Sequence, residues 1–350
     1  MEALPQTLAP ALFRWYEAGH RALPWRQDRE PYHVWLSEIM LQQTRVEAVK
    51  GYYARFLAEL PTIAQLAACA PDRLTKLWEG LGYYSRVRNL QKAAQQIEAE
   101  HGGVFPQSYD EIRALPGVGD YTAGAIASIC FDAPTPAVDG NVLRVLSRVM
   151  EDGSPVTKQS VKKDYEAALR PLYEQNAGRR GTLTQALMEL GACVCVPNGA
   201  PRCAECPLRG LCRAEANGTW DTLPVKEAKK PRRQEEKTVF FLSCGGQYAV
   251  RKRPEKGLLA GLWELPNVEG KLSAQQALAL LEQWGLAPEE LLKTIERTHV
   301  FTHVEWNMRC CYIRVAAPGG DLTWVDGARF AQDIALPTAF RMFWEPEQAG

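Results

Sequence analysis

Four cysteines in one short segment have the residue type and spacing of a metal site. They are Cys195, Cys203, Cys206 and Cys212, which lie within 18 residues of one another. Four thiolates so close in sequence can surround one soft metal centre, either an iron–sulfur cube or a zinc ion. The spacing leaves both centres open. A further cysteine, Cys193, lies two residues before Cys195, and we interpret it as a packed thiol rather than a ligand.

A glycine-rich turn upstream of these cysteines could bind phosphate. The segment Leu115–Ala123 reads LPGVGDYTA, and an apolar-periodic helix is predicted to begin just after its glycines. Glycine lets the backbone approach a partner closely, and backbone N–H groups at a helix start attract phosphate. We therefore expect Gly117, Val118 and Gly119 either to contact a phosphate or to form an ordinary connection between two helices.

A carboxylate follows twenty residues after Gly119, in the stretch PAVDGNVLRVLSR. Asp139 and Asn141 flank Gly140 at the predicted start of the next helix, and these residue types favour an N-cap. A capping residue can also be catalytic, because backbone donors hold its carboxylate in a fixed position.

The helices that carry these residues can be read from the apolar pattern of residues 8–220. Apolar residues step by three and four from Val46 to Leu60, and Pro61 then ends that helix. The same step recurs over 123–130 and 142–149. This part of the chain therefore predicts an all-α domain, to which we assign residues 1–223.

The pattern changes after a charged stretch, PVKEAKKPRRQEEK, at residues 224–237. This composition is typical of a solvated linker, although it could also contact phosphates. Beyond it we predict strands at Thr238–Leu242, Tyr248–Arg251 and 304–310, and a helix at Ser273–Trp284 with a Ser273/Gln276 capping box. These elements predict a second, small α+β domain over residues 238–350.

Length, charge and composition limit the class of protein and its location in the cell. The 350 residues suit two domains, and the formal net charge of zero neither predicts nor excludes a basic DNA-binding face. No stretch approaches 18 apolar residues and the N-terminus lacks a signal peptide, so we expect no membrane span and a cytosolic location. Thiols stay reduced there, which favours metal ligation over disulfides for the cysteines.

In combination these segments resemble the helix-hairpin-helix DNA glycosylases of the endonuclease III superfamily. The resemblance covers residues 8–220 and rests on LPGVGDYTA, VDGNV and the four-cysteine run. Within that superfamily the chain resembles the MutY-type adenine glycosylases, in the segments Leu23–Arg26 (LPWR), Pro31–Thr44 (PYHVWLSEIMLQQT) and Glu79–Leu90 (EGLGYYSRVRNL). The C-terminal domain resembles the Nudix domain of that family, with the MutT fold, most clearly in Gly257–Pro266 (GLLAGLWELP).

The resemblance implies a base excision repair enzyme that hydrolyses the N-glycosidic bond of adenine mispaired with 8-oxoguanine or guanine. It implies double-stranded DNA as the partner, no membrane, and a monomer. By position it assigns roles to the following residues: Asp139 stabilises the sugar cation, Glu38 protonates adenine, Tyr121 and Asn141 support the catalytic pocket, Arg26 and Gln185 line the adenine pocket, Gln43 and Tyr83 fill or wedge the duplex, and Cys195, Cys203, Cys206 and Cys212 hold a 4Fe–4S cluster.

Two carboxylates suit this reaction, because a flipped-out adenine leaves as a base while positive charge builds on the sugar. Glu38 must then be partly protonated at neutral pH, and burial among the neighbouring apolar residues of its segment could raise its pKa. Those neighbours are Trp35, Leu36, Ile39 and Met40. Without the resemblance, Glu38 would be interpreted as a surface carboxylate on an amphipathic helix. Asp139 is expected to stay ionised.

Tyr121 bears on whether the enzyme also cuts the strand. Bifunctional relatives have a lysine at this position, whose amine forms a Schiff base, and a tyrosine cannot do so. We therefore predict a monofunctional enzyme that leaves an abasic site.

Three features depart from the family patterns. Seven residues rather than six separate Cys195 and Cys203, an addition that a Pro/Gly loop can absorb. The loop that senses 8-oxoguanine reads Phe301, Thr302, His303, where the family has Phe-Ser-His. The helix SAQQALALLEQW lacks the clustered glutamates of a working Nudix hydrolase, which favours recognition of 8-oxoguanine over hydrolysis.

Two other functions remain open on the sequence. One is a thymine or oxidised-pyrimidine glycosylase with lyase activity, against which Tyr121 and the C-terminal domain argue. The other is a DNA-binding or redox-sensing iron–sulfur protein without catalysis, against which the presence of Glu38 and Asp139 argues.

Overall fold

The computed structural model describes residues 3–228 and 231–344. These residues form two compact units. The first unit contains the chain as far as Ala68 and again from Asn89 to Ala228, and the second contains Cys69–Arg88 and the described residues after 230. No helix among the described residues is long and apolar enough to span a membrane.

The segment Cys69–Arg88 lies within the predicted domain of residues 1–223 and packs with the second unit. This segment is helical like the residues on either side of it, so hydrophobic periodicity does not distinguish it from them. Only its tertiary packing groups it with the second unit. Residues 229–230 of the predicted linker, and the ends of the predicted domains at 1–2 and 345–350, lie outside the described residues.

The helices of the chain before residue 229 are α1 (Leu8–Gly19), α2 (Pro31–Leu41), α3 (Val46–Glu59), α4 (Ile63–Ala68), α5 (Pro71–Leu77), α6 (Ser85–His101), α7 (Tyr109–Ala114), α8 (Asp120–Phe131), α9 (Gly140–Met150), α10 (Gln159–Gln175), α11 (Arg180–Cys193) and α12 (Arg213–Ala216), with short 3-10 turns at Pro24–Arg26, Cys203–Glu205 and Arg209–Leu211. The helical prediction is thereby confirmed, including the end of α3 before Pro61 and the start of α8 just after the glycine-rich turn.

Local sequence fixes where the helices that carry the site begin. Pro31 occupies the first turn of α2, where its missing N–H has no intrahelical partner to lose. Asp139 caps α9, as predicted, because its side chain accepts a hydrogen bond from the Val142 N–H. Behind α9, apolar faces of α1, α10 and α11 pack with it in one hydrophobic cluster of the first unit.

The second unit is built on a mixed sheet. Its strands are β1 (Arg233–Cys244), β2 (Gln247–Lys252), β3 (Trp263–Glu264), β4 (Asn267–Glu269), β5 (Pro288–Val300), β6 (Val304–Val315) and β7 (Thr323–Asp326), and its later helices are α13 (Ala274–Gln283), α14 (Gly327–Asp333) and α15 (Thr338–Arg341). The main strand order is β3-β2-β1-β6-β5, with β1 and β6 parallel and β5 antiparallel to β6. Apolar side chains pack on both faces of the sheet. The predicted α+β class and the Ser273/Gln276 capping box are confirmed.

The predicted linker is too long at its C-terminal end. Strand β1 begins at Arg233, so residues 233–237 belong to the sheet. Their charged side chains suggest a solvent-exposed linker. Parallel pairing with β6, from Val304 to Met308, nevertheless provides hydrogen-bond partners for their backbone N–H and C=O groups. The Asn307 amide also donates to Gln234 at 3.0 Å.

A close helix contact positions the capped start of α9. Gly191 of α11 faces Asn141, and a Cβ at position 191 would lie 2.5 Å from the Asn141 Cβ and 3.0 Å from its backbone oxygen. Real Cβ atoms do not approach so closely, so only glycine lets the two helices pack at this separation.

Gly191→Ala is therefore expected to force α9 and α11 apart and to lower the free energy of unfolding by about 1–3 kcal/mol. Denaturant unfolding of the variant measures this change. Gly153→Ala is the matched control, because a Cβ there meets nothing within 4 Å. Equal effects of the two substitutions would contradict the close-packing explanation.

Candidate active site

One cavity in the first unit gathers most of the residues that the sequence singles out. Its volume of about 510 Å³ lies in the range of small-molecule sites. Of the predicted site residues, it is lined by Arg26, Glu38, Gln43, Tyr121, Asp139, Asn141 and Gln185. Helices α2, α8, α9 and α11 supply most of them, so side chains far apart in sequence share one wall.

Glu38 projects from α2 into this cavity and is buried. Burial raises the pKa of its carboxyl group from the ordinary 4.5 to about 7, and the negative charge of Asp139 adds to the rise. The Tyr121 hydroxyl donates a hydrogen bond to Oε2 at 2.5 Å, which lowers that pKa in part. The expected apolar surroundings are present, since Trp35, Leu36, Ile39 and Met40 are all buried.

Asp139 lies at the N-terminus of α9, where backbone and side-chain donors meet its carboxylate. The Val142 N–H donates to Oδ1 at 2.8 Å, and the Asn141 side chain donates to Oδ2 at 2.8 Å. Burial raises the pKa of Asp139, while these hydrogen bonds and that of the Asn141 backbone oppose the rise. Donors of this kind, at a helix N-terminus, stabilise the ionised form of a carboxyl group.

Asn141 is itself held by a buried arginine. The Arg144 Nη2 donates to Asn141 Oδ1 at 2.8 Å and to the Gly191 carbonyl at 2.7 Å. Its Nε donates to the carbonyl of Cys195 at 2.7 Å. A chain of hydrogen bonds therefore connects the first of the clustered cysteines to the carboxylate of Asp139.

Gln43 and Gln185 occupy two other parts of the cavity wall. Gln43 follows α2 with φ +58°, in the left-handed region that non-glycine residues rarely adopt. Such backbone strain is typical of functional positions. Gln185 lies on α11, and its side-chain oxygen accepts a hydrogen bond from the Tyr16 hydroxyl at 2.8 Å.

The four clustered cysteines surround a second cavity of the first unit, together with Arg148. All ten cysteines are free thiols, and Cys193 lies outside this cavity and donates to Glu189. The Arg148 Nη1 lies 3.3 Å from the Cys195 sulfur, and backbone N–H groups hydrogen-bond the sulfurs of Cys206 and Cys212. Positive charge and N–H donors around sulfur suit thiolates that ligate a metal centre.

Four cysteine thiolates can hold either a zinc ion or an iron–sulfur cube. Within residues 3–228 and 231–344, no three His, Cys, Asp or Glu side chains are grouped closely enough to hold one metal ion. The longer Cys195–Cys203 loop leaves both cysteines on the same cavity.

The glycine-rich turn joins α7 to α8. Gly117 has φ +77°, and a Cβ there would lie 2.6 Å from the Asn89 Cβ, so glycine is required. The Val118 N–H donates to the Leu115 carbonyl at 3.1 Å. The Val118 N–H is therefore engaged within the turn, and a phosphate contact of this residue stays a prediction. Gly119 is the N-cap of α8, beside the helix N–H groups that lack intrahelical acceptors.

The remaining predicted residues lie together in the second unit. The hydroxyl of Tyr83 and the Oγ1 of Thr302 are 3.0 Å apart, and both side chains are exposed. Phe301 packs edge-on against Trp306, and the carbonyl of His303 accepts the Arg233 N–H at 3.1 Å. The loop between β5 and β6 thus presents the Thr302 hydroxyl to solvent beside that of Tyr83.

Several site residues escape sequence reasoning. Arg21 and Lys162 also line the catalytic cavity, and Tyr16 and Glu189 lie directly behind it. One turn separates Gln185 from Glu189 on α11, a spacing that places both on one face and could have identified Glu189. Tyr16 lies 169 residues from its partner Gln185, so no local pattern could have found it.

Two family models match the chain, one in each of its two predicted domains. Residues 36–171 match the family model described as "HhH-GPD superfamily base excision DNA repair protein", and residues 238–346 match the NUDIX domain model. Among solved structures, a thermostable thymine-DNA glycosylase superposes with a TM-score of 0.53 and 25% identity, over 61% of this chain and 96% of that chain. An endonuclease III bound non-covalently to DNA, at 23% identity and a TM-score of 0.51 over 61% of this chain and 97% of that one, shares the fold.

Curated relatives extend the similarity over most of the chain. The adenine DNA glycosylase of Homo sapiens is 38% identical and covers 94% of this chain, which spans 71% of that protein. The enzyme of that name from Mus musculus is 36% identical over 96% of this chain and 78% of its own length. The adenine DNA glycosylase of Buchnera aphidicola is 30% identical, over 87% of this chain and 85% of its own length.

The raised pKa of Glu38 predicts a stability effect that is independent of catalysis. The contribution of Glu38 to the free energy of unfolding is fully present below about pH 4.5 and is lost as the pH rises through about 7. The reason is that Glu38 ionises at a lower pH in the unfolded chain than in the folded protein. Glu38→Gln should therefore raise the free energy of unfolding at pH 8 by up to about 3 kcal/mol, and change it little at pH 4.5. Denaturant unfolding at both pH values measures this, with exposed Glu174→Gln as control. A Glu38→Gln effect that does not change between the two pH values would contradict the raised pKa.

Proposed function

The chain belongs to the adenine DNA glycosylase family, within the helix-hairpin-helix base excision repair enzymes, and from that premise we propose that it releases adenine paired with 8-oxoguanine. As a member it is a DNA glycosylase, which hydrolyses N-glycosyl bonds of bases in DNA. The mispair it selects, the monofunctional course and the roles of individual residues are our proposals. One observation carries them: Glu38 and Asp139 face a single cavity, where Asp139 accepts hydrogen bonds at a helix N-terminus and Glu38 is buried with its pKa raised to about 7.

Glu38 supplies the proton and Asp139 the negative charge. Glu38 is buried with one hydrogen-bond donor, Tyr121, whereas Asp139 accepts hydrogen bonds from Val142 and Asn141 at a helix N-terminus. When two close carboxyl groups share one proton, it resides on the group whose anion is less well stabilised. That group is Glu38.

The reaction follows from this arrangement. Adenine enters the cavity after it is flipped out of the duplex. As the C1′–N9 bond breaks, its electron pair goes to adenine, and a ring nitrogen takes the Glu38 proton. The sugar becomes cationic beside the Asp139 carboxylate, which stabilises it. Water then adds to C1′ and loses a proton, which restores the protonated Glu38. The products are adenine and an abasic site.

Tyr121 supports a course without strand cleavage. Its phenol has no amine for a Schiff base, and in this cavity it donates a hydrogen bond to Glu38 instead. The hydroxyl thus orients the acid while the pKa of Tyr121, raised mainly by burial, keeps the phenol protonated.

Recognition of 8-oxoguanine is assigned to the second unit. Guanine has an acceptor at N7, which oxidation at C8 converts to an N–H donor. The Thr302 hydroxyl, 3.0 Å from that of Tyr83, can accept from such a donor. Phe301 and His303 flank Thr302 on this exposed loop. The α13 sequence AQQALALLEQ has one acidic residue, so it lacks the carboxylate cluster that Nudix hydrolysis needs.

We assign a 4Fe–4S cluster to Cys195, Cys203, Cys206 and Cys212. When bound, it would tie the end of α11 to the loops that precede α12, as four strong covalent ligations. Arg148 would balance part of its negative charge. The Gly117–Gly119 turn and the start of α8 would contact the DNA backbone without reading sequence.

The test uses duplexes with adenine opposite 8-oxoguanine, guanine or thymine. We expect strand breaks only after alkali, and faster release opposite 8-oxoguanine than opposite guanine. Asp139→Asn, which keeps the cap geometry but removes the charge, should reduce the rate at least about 100-fold.

Breakage before alkali would contradict the monofunctional course. It would direct attention to Lys162, whose amine lines the cavity. Release of thymine or of oxidised pyrimidines instead of adenine would overturn the proposed substrate, and unchanged activity of Asp139→Asn would overturn the role of Asp139.

A further inference from the structure

A buried carboxylate behind the cavity wall binds two arginines at once. Glu189, whose side chain is 2% exposed, accepts hydrogen bonds from Arg21 Nε at 2.7 Å, Arg21 Nη2 at 2.7 Å and Arg26 Nη2 at 2.9 Å. The backbone N–H of Arg21 donates at 3.1 Å. Burial would raise the pKa of Glu189, but its hydrogen bonds with Arg21 and the charge of Arg26 lower it to about 2. The carboxylate is therefore ionised at any pH at which the enzyme works.

These contacts fix the guanidinium of Arg26, which lines the cavity and is 10% exposed. Its Nη1 lies 3.4 Å from the Arg21 carbonyl, and its Cζ lies 5.7 Å from the centre of the Tyr16 ring. A planar group held by a carboxylate, a carbonyl and an aromatic face has little freedom to rotate.

Tyr16 also fixes the other side chain assigned to the base. Its hydroxyl donates to Gln185 Oε1 at 2.8 Å. With the amide oxygen engaged behind the wall, the NH₂ group of Gln185 is the part left to face the cavity. The ring nitrogens of adenine are acceptors, so a fixed donor here matches the base.

We propose that Glu189 and Tyr16 are positioning residues that hold Arg26 and Gln185 as fixed N–H donors toward the extruded base. Neither residue lines the cavity, so each acts through its partner. This inference rests on the proposed function, because it takes adenine as the occupant. The two N–H donors, on Arg26 and Gln185, would select a purine whose ring nitrogens carry no hydrogen or substituent. They cannot form hydrogen bonds with a base edge that presents N–H or C–H groups.

Glu189 has a second, electrostatic consequence at Glu38. The positive charge of Arg26 lowers the pKa of Glu38. The Glu189 carboxylate, 2.9 Å from Arg26 Nη2, carries the opposite charge beside that guanidinium. Glu189→Gln keeps the size of the side chain and one acceptor oxygen but removes this negative charge. The pKa of Glu38 should then fall, so the pH above which the rate declines should move downward.

The experiment measures single-turnover adenine release in full-length protein with its cysteine centre intact. Tyr16→Phe should slow release about tenfold, the loss expected for one positioning hydrogen bond, yet have no further effect in a Gln185→Ala background. Glu189→Gln should move the declining limb of the pH–rate profile to lower pH. Tyr52→Phe and Glu174→Gln, which lie outside the cavity, serve as matched controls.

Effects of Tyr16→Phe that add to those of Gln185→Ala would overturn the assignment of Tyr16. An unmoved pH profile for Glu189→Gln would overturn that of Glu189. If Glu189→Gln does not fold, the Tyr16–Gln185 cycle still decides the inference. A wild-type enzyme that does not release adenine would refute the proposed function itself. If the wild type is active but the effects of Tyr16→Phe and Gln185→Ala add, only the positioning roles are refuted.

Discussion

Two carboxyl groups that are buried at one cavity cannot both ionise easily, and the site depends on how the fold resolves that conflict. The helix N-terminus and its hydrogen-bond donors favour the anion at Asp139. Burial without comparable donors favours the neutral acid at Glu38, whose pKa is about 7. In the proposed mechanism, the same desolvation provides an acid at Glu38 and an anion at Asp139.

The scaffold holds the pair through contacts that are individually small. Gly191 allows α11 to reach Asn141, and Arg144 joins Asn141 to the Cys195 carbonyl. The cysteine loops therefore lie one hydrogen-bond chain from the anionic carboxylate. Glu189 and Tyr16 hold Arg26 and Gln185, the side chains proposed to meet the base. Asp139 is supported by the N-terminus of α9 and by Asn141, and Glu38 by the hydroxyl of Tyr121. Most of these groups lie on packed helices, which hold side chains more precisely than loops do.

Residues with a local pattern were predictable, and those defined by packing were not. The Asp139 cap and the helix after the glycine turn follow from periodicity and capping rules. Glu38 gained its role only from resemblance, because its helix alone suggests a surface carboxylate. The placement of Cys69–Arg88, the early start of β1 and the Tyr16–Gln185 hydrogen bond depend on distant partners, which no single-sequence pattern encodes.

The most direct test is the titration of Glu38 itself. Protein labelled with ¹³C at glutamate side-chain carboxyl groups can be followed by NMR as pH rises, with the resonance missing from a Glu38→Gln spectrum assigned to Glu38. A midpoint near pH 7 is expected, well above the ordinary 4.5. A midpoint at or below 4.5 would mean that Glu38 is an anion throughout the working range, and the acid–anion pair on which the mechanism rests would not exist.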